Sequence, residues 1–146
     1  MAKVSLRWAV ISKGWALCGI ADEQAAVDIR ASRVRAGPVD LLTAVARVVL
    51  GYGEARAELE AEPTTFRWIF RPAGDAVDIQ ILELPDFHHP DGDGTQIWAS
   101  RPPIGTLARA VIRAFDDVAS QHGDDGYRDI WGEPFPRTEL EALRRA

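Results

Sequence analysis

Hydrophobic and polar positions alternate with a period of two over most of the first hundred residues, then switch to a helical period. In KVSLRWAVI (3–11), Val4, Leu6, Trp8 and Val10 alternate with Ser5, Arg7 and Ala9, which predicts a half-buried strand. Ser12-Lys13-Gly14 forms a short turn, so residues 15–21 are its hairpin partner. Residues 26–34 alternate again, with Val27, Ile29 and Ala31 opposite Asp28, Arg30 and Ser32, a third strand. Gly37-Pro38 closes it and opens a helix over 38–50 with Leu41, Leu42, Val45, Val48 and Val49 on its apolar face. Asp40 suits the positive end of that helix, and Gly51 and Gly53 stop it.

In EARAELEAE (54–62), Glu, Ala and Leu favour helix, whereas strict alternation of charged and apolar residues favours strand. At helical spacing the apolar residues would scatter around the cylinder, so the period decides for a strand with a row of carboxylates facing water. Pro63 breaks the run. Phe66, Trp68 and Phe70 then share one face of a strand over 65–71, with Arg67 and Arg71 on the other. Gly74-Asp75 turns the chain into a further strand built on Val77, Ile79 and Ile81, and DFHHPDGDG (86–94) is a loop before a short strand over 95–100.

The clearest helix spans 102–123. Ile104, Leu107, Ala108, Val111, Ile112, Phe115, Val118 and Ala119 recur at three-and-four spacing, Pro103 suits the first turn, and Gly123 suits the end. Arg113 stands three and four residues before Asp116 and Asp117, so these charges are expected to pair along the exposed face. So wide an apolar stripe needs a sheet to bury against. The tail adds a helical turn at 127–131, a Pro-broken loop, and a terminal helix from Thr138, which forms a capping box with Glu141.

The order βββα βββ(β) αα predicts an α+β class: a mostly antiparallel sheet of six or seven strands, with one long helix and one or two shorter ones packed on one face. At 146 residues the chain makes one domain, able to bury roughly 70% of its unfolded surface. The five tryptophans, spread along the chain, read as core and sheet packing. Cys18, the single cysteine, rules out a disulfide framework and a thiolate zinc site. No basic-then-apolar segment opens the chain and no apolar run reaches membrane length, which points to a reducing cytoplasm and no membrane partner.

The net charge of −5 argues against nucleic acid. Residues 1–50 hold seven basic against four acidic side chains, a balance of +3, which leaves −8 for the remainder. Arg30, Arg33 and Arg35 lack interleaved aromatics and read as a solvated edge. The carboxylates Glu54, Glu58, Glu60 and Glu62 are the candidate partner-binding residues, a row that would steer a basic protein and raise its association rate.

Catalytic signals are weak. His88, His89, Asp91 and Asp93 supply metal-ligand types within six residues, but the spacing fits neither a helical HxxxH pair nor a calcium loop, and a polar turn explains them. There is no GxSxG elbow and no glycine-rich phosphate loop, and Cys18 has no basic neighbour to activate it. No catalytic residue, metal or cofactor is expected.

Glu62-Pro63, Trp68, Tyr127, Trp131, Phe135-Pro136, Leu140 and Leu143 form the pattern EP-x4-W … Y-x3-W-x3-FP-x3-L-x2-L, covering residues 37–144. It resembles a recurring pattern in small uncharacterised bacterial proteins. Some proteins of this kind look like immunity or accessory partners of secreted toxins. Its residues are aromatics, prolines and leucines, so the resemblance implies a shared fold rather than a chemistry. The leading expectation is a non-enzymatic interaction module, immunity-like or accessory, with a basic protein as partner. The alternative is a small-ligand-binding or enzymatic domain with a tryptophan-lined pocket. Homodimerisation through an unpaired edge strand is a third.

Overall fold

A computed structural model describes residues 3–146, and the predicted α+β class and element order are both present. Strands β1 (Ser5–Ser12), β2 (Trp15–Ala21) and β3 (Ala26–Ser32) are followed by helix α1 (Gly37–Val49). Strands β4 (Ala55–Glu60), β5 (Thr65–Ala73), β6 (Ala76–Leu84) and β7 (Thr95–Ser100) precede α2 (Ile104–Trp131) and α3 (Arg137–Arg145). All strand pairs are antiparallel, and the seven strands divide into two sheets, ordered β1-β2-β3 and β4-β5-β6-β7. The division falls at α1, which separates β3 from β4 in the chain. Alternation within a strand cannot show this, because it specifies a face and not a neighbour.

The ambiguous acidic segment is a strand. In β4, Ala55, Ala57 and Leu59 face the core while the charged residues take the other face. Register with β5 sets the small Ala57 opposite Trp68, and Leu59 opposite Phe66. Helix α1 covers this sheet at β4, and α2 covers the first sheet at β1.

An aromatic cluster lies where α2 meets β1. Trp8 stacks on Phe115 at 5.8 Å between ring centroids and meets Trp131 edge-on at 5.6 Å. Phe135 closes the cluster against Tyr127 at 5.3 Å and Phe115 at 6.5 Å. Offset and edge-on arrangements of this kind are the favourable ones for aromatic rings. This cluster joins the first strand to the tail.

The helix break falls where the sequence places it, and two other local expectations change. The first part of α2 ends at Gly123, where the chain takes φ 68, and a second helical stretch that includes the turn expected at 127–131 runs on to Trp131, where Gly132 (φ 99) ends it. Arg113 makes no ion pair among the described residues, because Arg144 of α3 reaches Asp116 first, at 2.6 Å. Thr138 does not cap α3: the helix starts at Arg137 behind Pro136, so Thr138 lies inside the first turn and the capping box does not form.

Truncating Phe115 leaves a void beneath Trp8 and Phe135, so Phe115→Ala is expected to lower unfolding free energy by about 3–5 kcal/mol in urea titrations. Cys18 is wholly buried, and burial, helped by the charge of Asp28, keeps its thiol protonated far above the usual range. A thiol reagent is therefore expected to leave the native protein unmodified and to react at the rate of global unfolding.

Candidate functional site

The predicted carboxylate row lies along and just beyond the outer face of β4, but its members do not stand free. Glu54 accepts hydrogen bonds from Arg56 and Arg71, each at 2.9 Å. Glu58 accepts from Arg67 at 2.7 Å, its direct cross-strand neighbour in the β4–β5 register. Glu60, 8% exposed, accepts from Arg35 at 3.3 Å. Glu62 lies past the strand end at φ 53, exposed and without an ion pair among the described residues. The row is thus an interleaved face of both signs. Its arginines come from three separate stretches, which only the fold brings together.

Arg67 is the centre of that face. It is 8% exposed, and besides Glu58 it donates to the carbonyl oxygens of Phe87 (3.1 Å) and His89 (2.9 Å) and to Asp91 (3.0 Å). One guanidinium therefore pins the loop 86–94, whose Gly94 end lies against the buried Leu82 and Leu84. Its five fixed donors suit this task, which an ammonium could not perform. Arg56 adds a 2.8 Å pair to Asp91 from the rim. Hydrogen bonding from Arg56, and then from Arg67, holds the Asp91 carboxyl below its ordinary range, and Arg56 and Arg71 do the same for Glu54.

The histidine loop is built by its own first residue. Asp86 accepts from the His88 backbone N–H at 2.9 Å, and one of its oxygens lies 2.8 Å from the Nδ1 of His89. Among the described residues no group of three or more His, Cys, Asp or Glu stands where it could hold a metal ion.

Arg35 joins the charged face to a second feature. Its guanidinium carbon sits 3.7 Å from the centre of the Phe87 ring, a cation–π contact, while its Nε serves Glu60. On its other side Arg35 lines a cleft of about 530 Å³, between the bend at 33–39 and the segment 127–139. That volume lies within the range of small-molecule sites. Tyr127, Trp131 and Phe135 line it; Trp8, Trp68 and Trp98 are core residues.

Around the cleft, Arg137 is held by Asp124 at 2.7 Å and lies over Phe135. Arg33 has no carboxylate partner among the described residues. Its stem lies across Gly14 and Gly132, where a β-carbon would come within 3.2 and 2.8 Å of it. Val34, 62% exposed, forms part of the lining. Asp40 in the first turn of α1 behaves unlike the other perturbed carboxyls: burial raises its pKa, Arg35 opposes this, and Glu58 adds to it. Tyr127 is wholly buried beside Trp8 at a geometry short of a hydrogen bond, and burial raises the pKa of its phenol.

No family model and no curated protein matches the chain. Among solved structures it is similar to a chain of the CdiA-CT/CdiI toxin and immunity complex from Enterobacter cloacae. The identity is 10% and the TM-score 0.51, with 80% of this chain and 99% of that chain covered. At that identity the likeness is one of fold.

Removing Arg67 would strand Glu58, leave Asp91 with Arg56 alone and free the carbonyls of Phe87 and His89, so Arg67→Met is expected to cost about 3 kcal/mol of unfolding free energy. Because the folded pKa values of Asp91 and Glu54 lie below those of the unfolded chain, their contribution is complete above the unfolded values and lost as pH falls through the folded ones. The melting temperature is expected to fall below about pH 4, with a shallower fall in Asp91→Asn.

Proposed function

We propose that this chain is a protein-interaction module of the immunity type. In this reading it holds a partner protein on the surface running from β4 and β5, through Arg35 and Phe87, to the cleft. The likeness of fold to a chain of a toxin and immunity complex, spanning 99% of that chain, carries this reading. The make-up of the surface supports it. Phe87 and Val34 are exposed apolar residues at 40% and 62%, set among fixed arginines, the composition of an interface centre with a polar rim. Glu54, Glu58 and Glu60 hold those arginines in place, and Glu62 is the carboxylate free to meet a basic group on the partner. The encounter takes place in the bacterial cytoplasm in this reading. No helix of the structure is long and apolar enough to cross a membrane.

A second reading rests on the cleft alone: an aromatic-lined space of about 530 Å³ suits a small ligand. One experiment separates the two. Wild type and a Val34→Asp/Glu62→Lys/Phe87→Ala variant are used to capture proteins from lysate of the native organism. Melting curves check that both are folded. The interaction reading expects one protein retained by the wild type, with affinity for the purified partner at least tenfold weaker in the variant. If neither captures a protein, and a metabolite screen raises the melting temperature of the wild type, the small-ligand reading replaces it.

A further inference from the structure

We propose a second docking site: the free edge of β1, which takes up an extended segment of a partner protein as an added strand beneath α2. In the order β1-β2-β3, β1 pairs on one side only. Among the described residues no backbone hydrogen bond reaches it from the other side. Alternate N–H and C=O groups along 6–10 therefore face outward without a protein partner, and an extended chain is the partner that matches their spacing.

Natural edges are blunted by bulges, charges or covering elements. The irregularity in β1 lies between Val10 and Ser12, at the hairpin end, and leaves the stretch 6–10 without a bulge, with Arg7 as its one charged residue. The edge of β7 differs: Trp98 donates to the Ala25 carbonyl and Ser100 to Asp22, tying that strand to the β2–β3 turn.

Beside the β1 edge runs a groove of about 320 Å³, walled on one side by 6–9 and on the other by Ala114, Asp117, Val118 and Gln121 of α2. Its charges define the occupant. Asp117 and Arg7 are both exposed and lack an ion pair among the described residues. Neighbouring residues of an added strand point to opposite faces. The fitting segment thus presents a basic side chain towards Asp117, an acidic one towards Arg7, and small apolar residues over Ala114 and Val118. The site uses β1 and the stretch 114–121 of α2, apart from the 127–131 stretch that lines the cleft, and does not depend on the Arg35 surface.

Phage-displayed random dodecapeptides, selected on the purified protein, test this directly. Selected peptides are expected to be extended, to carry alternating acidic and basic residues, and to shift backbone amide signals at 6–10 and 114–121 in NMR titrations. Methylating alternate backbone nitrogens of a selected peptide should abolish binding in one register and spare it in the other. Arg7→Glu and Asp117→Lys should each weaken binding about tenfold while leaving the melting temperature within a few degrees. Four results each overturn the site: no peptide enriched, shifts confined to the cleft, binding indifferent to backbone methylation, or a dimer in sedimentation whose β1 amides are already protected. Enrichment at the cleft would do so while leaving the interaction reading intact.

Discussion

The structure depends most on the burial of Trp8 between the first sheet and α2. The first sheet presents one apolar face and α2 one apolar stripe, and most of the stability of such a helix comes from the packing of that stripe. Each is buried by covering the other. Trp8 is the side chain they share, since it touches Phe115 in the first part of α2 and Trp131 beyond the Gly123 break. Because Phe135 joins the same cluster, one contact network fixes the first strand, the long helix and the tail. The break at Gly123 follows from this geometry. A straight continuation would carry the chain past β1, whereas the redirected segment returns Tyr127 and Trp131 to the core.

The second sheet solves a different problem, which is how to cover Leu82 and Leu84 on its outer face without another helix. The answer is the loop 86–94, and a loop brings backbone carbonyls that must be satisfied. Arg67 satisfies two of them and balances Glu58 and Asp91 with the same planar group. A buried guanidinium is costly unless every donor is engaged and a counter-charge is near. The β4–β5 register supplies that counter-charge by placing Glu58 directly opposite.

Much of this was legible in the sequence, and what was not has a physical cause. Alternation located five strands, including 54–62, where residue preference favoured helix, because a face has to be apolar for a strand to pack, while 15–21 followed from the turn before it and 95–100 stood as a short last strand in a count of six or seven. The assignment of strands to two sheets was hidden, since alternation carries no information about neighbours. The carboxylate row was legible as a face. Its pairing was not, because Arg35, Arg67 and Arg71 reach it from other segments. The cleft was legible only in fragments. Arg33 and Arg35 stood out as a basic cluster and Phe135-Pro136 as part of a recurring pattern, but a hundred residues separate them. No local signal joins them; the clue was a pair of charged residues just before a helix and an aromatic flanked by prolines just before another.

The pairing of the row also changes how charge can act in association. A carboxylate with an arginine at 2.7 Å contributes little to the field a few Debye lengths away. It does contribute a fixed dipole at contact distance. Long-range steering then falls to the unpaired acids, which among the described residues of 51–146 are Glu62, Asp75, Glu83 and Asp93 together with Asp117, Asp125, Asp129, Glu133 and Glu139 of the C-terminal third. The −8 carried by residues 51–146 is therefore spread over the chain rather than concentrated on the β4 row. In the interaction we propose, approach and recognition are separate: the unpaired acids set the rate of encounter and its salt dependence, while the locked arginines, Phe87 and the edge of β1 set which surface is accepted on contact.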